Sequence, residues 1–246
     1  MARKIVQSNA VAIRRVIGPA SIVGHGLHKR RIDIERRLQV ARHALRAAPE
    51  NAREATWYLK AAEQGHADAQ NALGLCLDEG TGVDRDPAEA AKWYRKAAEQ
   101  GLPAAQNNLG LSCRSGEGVP QDFEEAVRWF RLAAEQGYPD AEYSLGVAYA
   151  RGEGLPRDGA RAIKWLHKAA EQGEVNAMHR LARELHKKAG RKAEFREAAR
   201  WYRAAAEQEH VEAMFYLAQL HSDGTGVAEN FVEAAAWLHK AADHGH

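Results

Sequence analysis

The sequence predicts an all-α fold, an α-solenoid (right-handed superhelix) of 36-residue helix-turn-helix units. Three observations predict it. The six tryptophans, Trp57, Trp93, Trp129, Trp165, Trp201 and Trp237, follow one another at 36-residue intervals without a slip. Apolar residues at i, i+4, i+8 recur ahead of them in the same register, and paired glycines separate the two halves of most units. An indole recurring without drift is expected to fill one packing slot in every unit, because a close-packed slot does not accept a one-residue shift.

The first 32 residues stand apart from this pattern. They carry Arg3, Lys4, Arg14, Arg15, Lys29, Arg30 and Arg31 and no acid. Residues 1–48 hold 11 Lys/Arg and 2 Asp/Glu, against 24 and 31 in the remainder, so a basic leader precedes a mildly acidic array. We expect a disordered tail; the alternative is a segment directing organelle (mitochondrial) import, although such peptides are usually richer in Ser. The apolar stretch 10–13 is cut by Arg14 and Arg15, too short for a secretory core of about 7 to 15 residues. No run approaches the roughly 20 apolar residues of a spanning helix. Cys76 and Cys113 fall in different columns of the repeat and do not form a disulfide framework, which fits a reducing, cytoplasmic location.

Ile34, Leu38, Ala41 and Leu45 predict a helix over 33–47 that pairs with the helix around Trp57, making residues 33–65 a divergent N-terminal capping pair. Five units follow, 66–101, 102–137, 138–173, 174–209 and 210–246. The first helix of each is read from Ala69, Leu73 and Leu77, then Ala105, Leu109 and Cys113, Ala141, Leu145 and Tyr149, Ala177, Leu181 and Leu185, and Ala213, Leu217 and His221. Gly74, Gly110 and Gly146, with Ala182 and Ala218 in the later units, sit beside the leucine, where a small residue lets the partner helix come close.

Gly80-Thr-Gly82-Val83 and its copies at 116–119, 152–155 and 224–227 end the first helix. No strand precedes them and no third glycine or Lys-Ser/Thr follows, so a left-handed turn with an apolar plug explains them better than a phosphate loop. Asp86, Asp122 and Asn230, each followed three residues later by Glu, read as capping boxes in which the Glu reaches back, and Pro87 suits the first helical position. Second helices such as 87–99 end at Gly65, Gly101, Gly137, Gly173 and Gly245, each expected to be left-handed.

Leu73-Gly74, Gly80-x-Gly82-Val83 and Ala91-x-Trp93-Tyr94-x-x-Ala97-Ala98-Glu99-x-Gly101 resemble the Sel-one-like repeat family, relatives of the tetratricopeptide repeats, over about residues 50 to 246. The resemblance implies a solenoid that acts as a non-enzymatic adaptor or scaffold. It also implies that the first helices line a concave groove, open at the columns of Asp68, Asn71, Leu75, Asp78 and Glu79. Columns that vary between similar units are free to serve recognition. Asn107, Tyr143, Arg151, His179, Arg183, Lys187, Phe215 and Gln219 are therefore the candidate groove residues for a protein or peptide partner, with Tyr143 and Phe215 as anchors and Arg151, Arg183 and Lys187 pairing acids.

The fourth unit departs from the pattern. Lys188 and Arg191 replace the first loop glycine and the apolar plug, so its turn should be distorted; Glu209 replaces a terminal glycine. Ala236 stands in the column of Lys92, Arg128, Lys164 and Arg200, leaving the last helix without a polar cap and suggesting either contact with another chain, as in a homo-oligomer, or a longer natural protein.

Enzymatic activity is the rival reading, since cysteine-rich members of the family have been described as binding or hydrolysing β-lactams. This chain lacks their paired cysteines, and no Ser-x-x-Lys, Gly-x-Ser-x-Gly or His-Glu-x-x-His occurs. No cofactor or catalytic residue is expected. No metal site is expected either, because His179 and His186 are seven apart on one helix face and His167 and His239 are repeat-equivalent surface positions. A second alternative, weak nucleic-acid association, rests on the leader alone.

Overall fold

The computed structural model describes residues 50–188, 190 and 192–244. Among these residues there are eleven helices and no strand. They are α1 (Glu50–Glu63), α2 (Ala67–Glu79), α3 (Pro87–Glu99), α4 (Pro103–Ser115), α5 (Phe123–Glu135), α6 (Pro139–Arg151), α7 (Gly159–Glu171), α8 (Val175–Lys188), α9 (Lys192–Glu207), α10 (Val211–Asp223) and α11 (Phe231–Asp243). The predicted leader, the helix at 33–47, Arg191 and Gly245 lie outside the described residues. The helices form two compact units, one with α1–α3 and residues 117–119, the other with α4–α11.

Packing follows the repeat. Each first helix lies on its own second helix, α2 on α3, α4 on α5, α6 on α7, α8 on α9 and α10 on α11. Second helices then pack on the next first helix, as α1 does on α2, α5 on α6, α7 on α8 and α9 on α10. The stripes read from the sequence face these contacts: Leu73, Leu109, Leu145, Leu181 and Leu217 are all buried, as are Ala105, Ala141, Ala177 and Ala213. Gly110 and Gly146 make room for the partner helix as expected. A Cβ at Gly110 would stand 2.6 Å from the Phe130 ring, and one at Gly146 2.7 Å from Leu166 Cγ.

The indoles do not fill one uniform slot. Trp93 and Trp237 are buried, Trp129, Trp165 and Trp201 are half-buried, and Trp57 is 71% exposed. The deeper column is the residue after each indole: Tyr94, Phe130, Leu166 and Tyr202 are fully enclosed. An indole leans back toward the preceding second helix, as Trp201 meets His167 of α7 edge-on with ring centroids 5.5 Å apart and Trp93 joins Ala62 of α1 in one apolar cluster. Trp57 belongs to α1, and no helix among the described residues precedes it. A second reason for the column is a stacked cation: Lys60, Lys96, Lys168 and Lys240, one turn on, lie over Trp57, Trp93, Trp165 and Trp237.

Loops and caps carry the register between repeats. Gly154 has φ +69° and its Cα faces the carbonyl of Phe123 at the start of α5, so a Cβ there would run into backbone; Gly226 repeats this against Phe195 of α9. In the fourth repeat the first helix runs on to Lys188, and Gly190 has nothing within 4 Å of a Cβ, so the contact made by Gly154 and Gly226 is absent at the equivalent position. Asp86, Asp122 and Asn230 cap their helices, accepting the amides of Glu89, Glu125 and Glu233 at 3.0, 2.8 and 3.1 Å, and Asp158 does the same for Arg161 at 2.9 Å. The reciprocal half of the box is corrected: Glu89 turns to Lys92 (2.8 Å) and Glu125 accepts from the Trp129 indole (3.3 Å). The amides of the cap residues are taken up elsewhere: Asp86, Asp122 and Asn230 donate to the carbonyls of Leu77, Cys113 and His221 on the preceding helix at 2.7, 2.8 and 2.8 Å.

Cys76 and Cys113 are free thiols. At the last helix, Phe231, Val232 and Leu238 are exposed, Leu238 being the member of the enclosed column in α11. No helix of the described residues is long and apolar enough to cross a membrane.

Two stability predictions follow from the backbone. Gly154→Ala combines positive φ with a backbone clash and should cost about 2 kcal/mol or more by chemical denaturation, whereas Gly190→Ala should stay within about 0.5 kcal/mol. Glu209, at φ +65°, is the one non-glycine with positive φ among the described residues. Glu209→Gly should stabilise the fold by about 1 kcal/mol, raising Tm by roughly 2–4 °C; an unchanged or lower melt would contradict this.

Candidate functional site

In the larger unit the first helices touch one another directly, α4 with α6 and α6 with α8, so the varying columns of successive repeats come together on one surface. Tyr143 of α6 is half-buried against the apolar core. Arg151, at the end of α6, is exposed and pairs with Glu153 at 3.2 Å. Arg183 is half-buried, while Lys187 is exposed and pairs with Glu184 at 3.1 Å. Phe215 is 40% exposed, edge-on to Tyr216 with centroids 5.8 Å apart, and Gln219 is exposed.

Asn107 and His179 do not lie open as the column argument expects. Both are buried, because this column is where neighbouring first helices meet. Asn107 Oδ1 accepts from the Ser144 hydroxyl of α6 at 3.3 Å, and the His179 ring stacks on Tyr216 and His210. A residue there is available to a partner only if it is too long to be enclosed, as Tyr143 and Phe215 are.

The structure adds two cations that the sequence reasoning passed over. Burial pushes the Tyr143 hydroxyl above its usual pKa and Glu174 adds to it, while Arg180, Arg114 and Arg151 act the other way. Three guanidinium groups, from α4, α6 and α8, thus lie within electrostatic range of one phenol. Arg180 is mostly enclosed, 3.4 Å from the buried carboxylate of Glu184, which also takes Lys187. Its column runs Ala72, Asn108, Ser144, Arg180, Tyr216, small in the early repeats and large in the later ones. That change of size was a readable signal.

A second cluster joins different repeats. His179 Nδ1 stands 3.6 Å from the Glu212 carboxylate, and its Nε2 is buried without a partner. The His210 ring lies 4.4 Å away, its Nδ1 accepting the Ala213 amide at 3.2 Å as the cap of α10. Burial, followed by His210, Arg183 and Arg180, lowers the His179 pKa to about 3, so the imidazole is neutral at physiological pH. The three residues are 31 and 33 positions apart along the chain, a spacing that a search along single helices does not test.

Beneath the surface a polar ladder links each first helix to the end of its own second helix. Gln136 donates to Gln106 at 2.9 Å, Gln172 to Glu142 at 2.7 Å and Gln208 to the sulfur of Met178 at 3.5 Å; in the smaller unit Gln100 donates to Gln70 at 2.7 Å. Glu142 is the charged member of a column otherwise filled by Gln70, Gln106, Met178 and Met214. It is buried, and burial raises its pKa against the opposing effects of Lys168 and Gln172.

These contacts define a helical repeat solenoid of the helix-pair type. The Sel1 repeat model matches residues 55–66, 67–102, 103–138, 139–174, 175–210 and 211–246, and the chain belongs to that family. Sel1 repeat proteins generally mediate protein–protein interaction as non-enzymatic scaffolds. Among solved structures, the chain is similar to c5321, a protective antigen present in uropathogenic Escherichia coli strains, at 34% identity and TM-score 0.74 over 91% of this chain; it spans 50% of that protein's chain. A Sel1 repeat protein from Oxalobacter formigenes is 32% identical with TM-score 0.69, over 80% of this chain and 84% of the other. The immunity protein Pa5087 from Pseudomonas aeruginosa shares the fold at 22% identity and TM-score 0.51, over 80% and 77% of the two chains. No curated protein sequence matches the chain.

The raised pKa of Glu142 fixes the sign of a pH prediction. A carboxyl whose folded pKa lies above its unfolded value penalises folding once ionised, so the penalty is absent below the unfolded pKa and grows as pH rises through the carboxylate range. Glu142→Gln keeps the acceptor for Gln172 and should raise Tm at pH 7 by about 2 °C. The gain should shrink toward pH 4 in a pair of melts at the two pH values.

Proposed function

We propose that this protein is a non-enzymatic adaptor whose first-helix surface in residues 101–246 holds an acidic, extended or helical segment of a partner protein. The half-buried Tyr143 on first helix α6, packed against the core with Arg114, Arg151 and Arg180 within electrostatic range, is the observation that carries this reading. A half-buried tyrosine gives a rigid amphipathic anchor at low entropic cost, and the arginines around it offer forked donors matched to carboxylates. Phe215 supplies a second apolar anchor two repeats further along, with Arg183 and Lys187 on α8 between the two.

The present partners of the exposed cations Arg151 and Lys187 do not stand in the way. Arg151 with Glu153 and Lys187 with Glu184 are pairs whose cations are more than half exposed, and such pairs contribute at most about 1 kcal/mol. An incoming carboxylate can exchange for them at little cost. Asn107 and His179, being enclosed, shape the floor of the surface and do not contact the partner. Glycine-rich loops in this chain are structural turns, and their amides are used by the helix ends they close.

Affinity capture from the native cell, read by mass spectrometry, identifies the partner and tests the surface. Arg151→Glu together with Arg183→Glu should reduce its recovery at least tenfold while leaving the thermal melt within about 1 °C of the unaltered protein. Equal recovery by the double variant would move the site off this surface.

A further inference from the structure

We propose that His179, His210 and Glu212 form a binding site for a zinc-class divalent ion joining α8 to the start of α10. The geometry carries the proposal. One donor atom from each residue lies within 4.8 Å of the other two, and ligand atoms around tetrahedral zinc stand about 3.4 Å apart. The contraction needed falls on Glu212, whose side chain is 62% exposed and free to change rotamer. Two imidazoles and one carboxylate leave a fourth position for water or for a group from a partner.

The second observation is the state of His179. It is an enclosed, neutral imidazole whose Nε2 has no hydrogen bond and whose Nδ1 is too far from Glu212 to make one. Buried polar groups in native proteins are nearly always satisfied, and a metal ion would supply a partner for the ring nitrogen that faces Glu212. Turning the ring by 180° exchanges the two nitrogens, so either can face the carboxylate. His210 enters by giving up the Ala213 amide: its Nδ1 lone pair passes from the helix cap to the metal, or the ring turns and offers Nε2.

The surrounding charge selects the ion. Arg183 and Arg180 lie close enough to act on His179, so a cation held by electrostatic attraction alone is disfavoured. Mg²⁺ and Ca²⁺, which bind through oxygen and charge, are therefore excluded, and an ion that gains its affinity from imidazole coordination is preferred. The other groups around His179 are the rings of Tyr202 and Tyr216, an apolar wall that limits water access.

The test uses the full chain, without any affinity tag, titrated calorimetrically with Zn²⁺ alone. The expected result is one Zn²⁺ per chain, a rise in Tm with Zn²⁺ and none with Mg²⁺ or Ca²⁺, and visible absorption of the four-coordinate type when Co²⁺ is substituted. Glu212→Gln changes an exposed side chain, and His210→Asn retains an acceptor at the helix cap; each should weaken Zn²⁺ binding at least tenfold with the melt of the metal-free protein preserved. Zn²⁺ affinity unchanged in both variants, or substoichiometric binding to the unaltered chain, would overturn the proposal.

Discussion

The structure depends on one contact that recurs from repeat to repeat: a small residue in the middle of the first helix, at Gly74, Gly110 and Gly146, receives the side chain that follows the indole of the second helix. Phe130 fills the space over Gly110 and Leu166 that over Gly146, and Tyr94 does the same over Gly74. The close approach encloses the leucine stripe on one side and the alanines of the second helix on the other. Because neither helix of a pair is wide enough to bury its apolar face alone, the pair must present a second face to the next repeat, and the 36-residue period is the outcome. Removing the small residue would separate the helices, and every contact between repeats is built on their separation.

Two further devices brace the array without adding to the core, one between successive repeats and one within each repeat. The second loop glycine presses on backbone at the start of the preceding second helix, a position no side chain could share, and the polar ladder from Gln106 to Gln208 ties each first helix to the end of its second. Both weaken in the fourth repeat, where a Cβ at Gly190 would meet nothing within 4 Å and the ladder ends on a methionine sulfur. The same repeat carries the buried histidine and the enclosed Arg180–Glu184 pair. Relief from one constraint and accumulation of buried polar groups thus coincide, and both of the sites proposed above draw on α8.

Recognition and packing use neighbouring positions of one helix. Tyr143 and Ser144 are adjacent, yet Ser144 bonds to Asn107 between two first helices while Tyr143 reaches the surface among three arginines. A side chain's length decides which role it takes. Arg114 and Arg180 act electrostatically on Tyr143 from the repeats on either side of it, so the surface is a property of stacked repeats and of no single one.

The repeat, the helix stripes, the caps, the left-handed residues down to Glu209 and the altered fourth turn were all legible in the sequence, because each depends on residues within one unit and local physics fixes them. The depth of a column was not legible. Indole periodicity pointed to Trp93 and its copies as the buried seat, whereas the enclosed residue is the next one, and Asn107 and His179 turned inward where an open groove position was expected. Tertiary structure alone decided these points, and it alone brought His179 beside His210 and Glu212. Burial and cross-repeat proximity depend on how one unit rotates against the next, an angle set by the sum of many side-chain volumes and recorded in no single residue.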